Sequence, residues 1–157
     1  TPLANGWAYI PATAASIVVS EAGKTRTYPA APWYATLTRV IGDAQGRRVI
    51  YTGWNRTTGD SAAASTLLLD NGSHEHIMTA FGEGVGLSRL SDGVLIKSYP
   101  TQESVALIKV PSGGAIQKLG TIPRPISAIT ASGDMKRATI DERDYRADAW
   151  MSKVIVP

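Results

Sequence analysis

The 157-residue chain has no cysteine, a single phenylalanine and two histidines, and only 18% of its residues are charged. Without cysteine there is no disulfide framework and no thiolate metal site, and the redox compartment stays open. Basic and acidic residues nearly balance, 16 against 13, and the basic ones are scattered. A dense stripe for tracking nucleic-acid phosphates is therefore missing. The longest apolar runs, such as Val154-Ile155-Val156, are far shorter than a membrane span, and no charged-then-apolar leader stands at the start. No 11-residue window carries a 3.6-residue apolar period, because Gly, Pro, Ser and Thr interrupt every few residues, so helices are expected to be nearly absent. What is there suits one globular domain: 43% apolar residues, with enough length to bury a core. A start at Thr1 rather than Met is expected of a processed terminus or of a piece of something longer.

Short apolar or β-branched runs fill the chain, among them Ser16 to Ser20, Arg48 to Tyr51, Thr66 to Leu69, Val94 to Lys97, Val105 to Val110 and Met151 to Ile155. Bounded by turn residues at close spacing, they read as strands of an all-β domain. Two marks show that the strands repeat. An apolar strand ending in a Gly turn recurs at Gly23, Gly72 and Gly113, steps of 49 and 41 residues. An Asp/Gly turn feeding an apolar strand recurs at Gly46, Gly93 and the slot filled by Met135, steps of 47 and 42. A period of this length holds four short strands, the blade unit of a β-propeller.

With strands named a to d outward from the propeller axis, the chain divides into a partial blade over residues 1–30, complete blades over 31–80 and 81–122, and a partial blade over 123–157. The expected total is 14 strands, or about three and a half four-stranded antiparallel blades, with a β-sandwich as the alternative fold. An arc of blades leaves sheet edges and end faces in water, which proteins avoid. A protein partner or a second copy completing the ring is therefore expected, with open-ended homo-oligomers as a further geometric possibility.

The Asp/Gly turn with basic residues leading into an apolar strand, at Asp43 to Tyr51 and at Ser91 to Ile96, is similar to the repeats of TolB-like, WD-repeat-type bacterial β-propellers. The ending Asp144 to Val154 resembles the last blade of that type. The resemblance implies a propeller fold and a C-terminal set of blades. Such propellers are often appended to kinases, regulators or peptidases, and a periplasmic or extracellular setting is slightly favoured. Family members differ widely in function, so the fold carries no activity with it.

Successive turns of a blade alternate between the two ends of its strands. The a-b and c-d turns are short and Gly-rich, as tight hairpins require. The b-c and d-a loops hold the aromatic, amide and charged residues, including Trp33, Tyr34, Phe81, Glu83 and Arg124 between blades. Mixed Trp, Tyr and Arg surfaces on scaffolded loops are what recognition sites use, so Trp54, Arg56, Tyr99, Glu103, Arg143 and Tyr145 are the candidate ligand-binding residues. The plainer reading is that Trp54 and Tyr145 wedge between blades.

No catalytic residue is expected. Gly59-Asp60-Ser61 is followed by Ala62-Ala63 rather than Gly, and both histidines lie on an outer strand, too far to serve as base. His74 and His76 are two apart on a strand and point the same way. A metal would need a third ligand from elsewhere, and an outer-strand pair facing solvent is the favoured reading. Asp141, Glu142, Asp144 and Asp148 do not follow an EF-hand spacing, and Arg143 and Arg146 interleave with them. No metal, cofactor, nucleic-acid partner or membrane span is expected. A non-enzymatic binding scaffold ranks first, a self-assembling structural subunit second, and the propeller part of a larger enzyme third.

Overall fold

A computed structural model describes residues 1–43, 45–57, 61–81, 85–101, 104–122, 126–143 and 150–155. Among these residues there are 14 strands and no helix, all antiparallel, in four sheets taken in chain order. The first sheet has three strands, β1 (Gly6–Tyr9), β2 (Ser16–Glu21) and β3 (Lys24–Pro29). The second has four: β4 (Tyr34–Gly42), β5 (Arg48–Asn55), β6 (Ser61–Leu68) and β7 (His74–Phe81). The third also has four: β8 (Val85–Leu90), β9 (Gly93–Thr101), β10 (Ser104–Pro111) and β11 (Gln117–Ile122). The fourth has β12 (Ile126–Ala131), β13 (Ala138–Arg143) and β14 (Trp150–Ile155). Each is a simple meander, so the strands that the turn spacing predicts pair with their sequence neighbours.

The sheets stack face to face in order, and each interface has its own apolar layer. Between the first and second sheets lie Ile17, Val19, Tyr34, Leu37, Val49 and Tyr51, all buried. Ile50, Ala64, Val94, Ile96 and Val110 fill the gap between the second and third sheets. Leu90, Leu95 and Val105, with Met135 packed against them, lead on to the fourth. Strands of interior sheets are buried on both faces and so read as continuous apolar runs, as in Val94-Leu95-Ile96.

The turns that open strands β5 and β13 show why the repeat tolerates different residues. In the second sheet, Asp43 N–H donates to the Arg48 carbonyl (3.1 Å), Gly46 N–H donates to the Asp43 carbonyl (3.3 Å), and Gly46 sits at φ +68°. In the fourth, Ser132 N–H donates to the Arg137 carbonyl (2.8 Å), Met135 N–H donates to the Ser132 carbonyl (2.9 Å), and Met135 sits at φ 61°. Met135 therefore occupies the left-handed slot that glycine fills without a steric penalty. Ser132 stands in for Asp43, its hydroxyl accepting the Arg137 N–H at 3.0 Å. The segment Ser132-Gly133-Asp134-Met135 thus forms the same turn, with Ser132 at the Asp43 position and Met135 at that of Gly46. The other mark needs a shift of one residue: Gly114, at φ 92°, and not Gly113, is the left-handed glycine of the third sheet.

Neighbouring sheets are also tied by hydrogen bonds at the turns. From β8, the Arg89 guanidinium donates to the carbonyls of Gly42 (3.3 Å), Asp43 (3.4 Å) and Pro2 (2.7 Å). Ser91 N–H donates to the Gly133 carbonyl at 2.8 Å. On the outer side, the Tyr28 hydroxyl donates to the Leu69 carbonyl at 3.1 Å.

Candidate functional site

The second sheet carries a polar cluster on each of its two faces. The face toward the third sheet is built from alternate residues of β5 and β6, among them Thr52, Trp54, Ala62 and Ala64. Trp54 is partly buried there beside the small Ala62, its cross-strand partner. A large side chain next to a methyl leaves space, and a cavity of about 340 Å³ opens at this end of the sheet. Thr38, Arg39, Thr52 and Trp54 supply its polar and aromatic wall, and Gly53, Ala62 and, from β8, Val85 the rest.

A β-bulge aims the polar residues. The β4–β5 register slips between Leu37 and Arg39, so that Leu37 pairs with Gly53 and Arg39 with Thr52. Thr38 is the extra residue, and its hydroxyl lies 3.0 Å from that of Thr52. Because of the slip, Leu37 and Val40, three residues apart, both pack in the layer toward the first sheet. Gly53 permits the close approach that goes with it, since a Cβ there would meet the Thr36 carbonyl oxygen at 2.3 Å and the Tyr34 ring at 2.7 Å. Arg39 is exposed at the cavity rim, and no carboxylate pairs with it among the described residues.

The opposite face, toward the first sheet, holds a buried aromatic network. The Tyr34 and Ser65 hydroxyls are 2.9 Å apart, and Trp33 Nε1 donates to the Ser65 hydroxyl at 3.3 Å. The Tyr51 hydroxyl lies 2.7 Å from His74 Nδ1, and the Tyr34 and Tyr51 rings are 5.2 Å apart. Burial pushes the Tyr34 phenol up to about 12, and burial followed by the nearby Tyr34 pushes Tyr51 up as well. Both phenols therefore stay protonated, and the network is a packing device without an activated nucleophile. Burial lowers the pKa of His74 and of His76.

These positions revise one sequence expectation. The His74 ring does not simply face solvent: it is half-buried against Tyr51, edge to face at 5.7 Å. His76 is exposed, with Nε2 3.2 Å from the Thr79 hydroxyl and its ring edge-on to Trp33 at 6.0 Å. Ser61 is remote from both histidines along the sheet. It pairs with Phe81, whereas His76 pairs with Ser65 and His74 with Leu67. Four and six residues of β6 separate these positions, roughly 13 and 20 Å at the rise of a strand.

Of the predicted ligand-binding residues, Trp54 lies in the cavity wall. Arg56 is exposed just beyond β5, its N–H donating to the Trp33 carbonyl at 2.8 Å. Tyr99 lies near the end of β9, one residue past Ser98, which pairs with Val85 of the cavity wall. Arg143 ends β13 and pairs with Trp150. Trp54, Tyr99 and Arg143 thus fall at corresponding ends of the second strand-after-turn in three successive sheets. Glu103 and Tyr145 lie outside the described residues, as do Glu83, Arg124, Asp144 and Asp148. Thr38, Arg39 and Thr52 escape a reading that looks for sites in loops, because they stand on strands. The signal for them was the broken alternation between Leu37 and Val40.

No family model matches this chain, and no curated protein matches it. Solved structures do. The β-propeller domain of the Trilobed protease from Pyrococcus furiosus, described as having an open velcro topology, aligns with 88% of this chain at 13% identity and a TM-score of 0.62. TolB from Acinetobacter baumannii aligns with 97% of it at 11% identity and a TM-score of 0.58. The chain spans 45% and 40% of those two chains, less than half of either. At such identities the likeness speaks for architecture alone, and the chain has the fold of a TolB-like β-propeller segment.

Proposed function

We propose that this chain is a non-enzymatic binding scaffold, a run of propeller blades whose ligand site lies at the Trp54 end of the second sheet. The observation that carries this reading is the cavity between the second and third sheets, whose wall holds an indole, a hydroxyl pair and a guanidinium that has no ion-pair partner among the described residues. Cavities of this size in which a few polar groups converge are a usual form of small-molecule site, and the wall of this one is about half polar. The distance along β6 between Ser61 and either imidazole supports a role without hydrolysis. The test is a fragment screen followed by amide NMR on the labelled chain, run beside a hydrolase substrate panel. Shifts clustering on Thr38, Thr52, Trp54 and Val85, without turnover, are expected. Turnover lost in Ser61→Ala overturns the reading.

A second reading, a structural segment completed by a partner or another copy, has one observation in its favour. The outward face of the first sheet carries Trp7 and Tyr9 at 61% and 49% exposure. They flank Val18 and Ser20, their cross-strand partners, on the side away from the second sheet.

A further inference from the structure

The cavity at the bulge is asymmetric in its polar chemistry. Among the described residues it offers donors and no anion. Arg39 contributes a guanidinium at the rim, and among the described residues neither ion pair involves it: Asp43 faces Arg48, and Asp92 faces Lys109. The other arginine of the inner strands, Arg89, is by contrast committed to three carbonyls. Two threonine hydroxyls that share one hydrogen bond use one of their two protons on each other, so one hydroxyl donor is left over. Trp54 adds an indole N–H that is without a hydrogen-bond partner among the described residues, together with an aromatic face. The remaining wall, Ala62, Val85 and Gly53, is apolar or bare backbone.

From this arrangement we infer that the cavity takes a small ligand with one carboxylate and a flat apolar body. The inference rests on the binding role proposed above. A carboxylate matches the forked donors of a guanidinium in two parallel hydrogen bonds. One cation balances one negative charge, whereas a phosphate monoester brings nearly two, and among the described residues no second cation lines this cavity. The flat body lies against the indole and the Ala62 and Val85 methyls. The bulge shapes the site: with Thr38 as the extra residue at the Gly53–Thr52 step, Arg39 takes the position opposite Thr52 while the Thr38 hydroxyl still reaches that of Thr52.

Benzoate and its uncharged isostere benzamide are suitable probes, read at the Trp54 indole N–H signal, which is assigned with Trp54→Phe. Benzoate is expected to give a saturable shift with an affinity several-fold above that of benzamide, since a charge-assisted bidentate pair is stronger than a neutral contact while solvent at the rim screens part of the gain. Arg39→Gln should erase the preference while leaving the thermal midpoint unchanged, because Arg39 is exposed and has no ion-pair partner among the described residues. Arg39→Lys, which keeps the charge but loses the fork, should retain only part of it. Equal binding of the two probes, or a benzoate preference that survives in Arg39→Gln, overturns the carboxylate inference and leaves the binding role standing. No saturable shift from either probe overturns both.

Discussion

His74 shows how a single side chain on an outer strand can report on a buried layer. Its Nδ1 faces the Tyr51 hydroxyl at 2.7 Å, and its ring packs on that of Tyr51, so the neutral imidazole is the form that fits. Burial lowers its pKa below the ordinary 6.5, with a hydrogen bond to the Pro29 backbone opposing in part. The folded chain then binds its proton at lower pH than the unfolded chain does. Stability from this group is complete above about pH 6.5 and is lost as pH falls from there to the depressed folded value, where the loss levels off. His76 shifts in the same direction, by burial alone. Urea unfolding at pH 7.5 and 5.5 is expected to show a larger drop in midpoint for the parent chain than for His74→Gln. An equal drop in the two would mean that the imidazole remains neutral or charged alike in both states. Asp43 is a different kind of buried residue. One oxygen accepts the Arg47 N–H at 3.0 Å, while the other stands 3.9 Å from Arg48 Nε without a hydrogen bond. That contact is too long to count as a strong ion pair, and Asp43 is better understood as the residue that shapes the turn.

At the scale of elements, the sheets are held by apolar layers and by a few turn contacts that cross between them. Arg89 is the chief of these contacts, reaching the end of the second sheet and, at Pro2, the segment ahead of the first. Charged donors make stronger hydrogen bonds than neutral ones, but Arg89 is also exposed, so water replaces part of what is lost. Arg89→Ala is expected to lower stability by about 1–2 kcal/mol, a fall of several degrees in thermal midpoint for a chain of this size. A scanning calorimeter would settle it, and an unchanged midpoint would reduce the three contacts to surface decoration. Most of this element layout was legible in the sequence. Strands flanked by Gly, Asp and Ser turns at short spacing leave few ways to pair, and the predicted run Val105 to Val110 lies inside β10, which extends it by one residue at each end. The bulge at Leu37–Arg39 was not predicted, although its trace was present. An apolar pair three apart fits neither a regular strand nor a helix of useful length, and only the pairing register shows which residue is extra. Trp54 was legible as a candidate because an aromatic beside a polar loop stands out, and it lies in the cavity wall. Thr38 and Thr52 look like any threonine on a strand until the backbone brings their hydroxyls together.

For the whole molecule, the contrast between interior and terminal sheets matters most. The second and third sheets bury both faces, whereas the first sheet is packed on one face and leaves two large aromatics in water on the other. Sheets of a propeller pack through such faces, so the outward face of the first is where further β structure should seat. Light scattering after size exclusion, over protein concentrations from about 1 to 200 µM, is the direct measurement, since a weak symmetric contact of standard size forms in that range. The expected mass at the upper end is a multiple of the 16.6 kDa chain, returning to a single chain in the double variant Trp7→Ser, Tyr9→Thr. A single-chain mass throughout would remove self-association and leave a different protein, or further blades of a longer chain, as the completing part. Particles that grow without limit would mark a contact that does not close.

The Arg89 staple has a consequence for how this sequence can drift. All three of its acceptors are main-chain carbonyls, which every amino acid supplies, while its donor is one particular side chain. Substitution at Pro2 leaves the acceptor in place, so the sheets can exchange turn residues over evolutionary time without losing registry. The burden of inheritance falls on position 89 alone, and a lineage that kept this architecture at low identity would keep its memory there, in the donor rather than in the turns it holds.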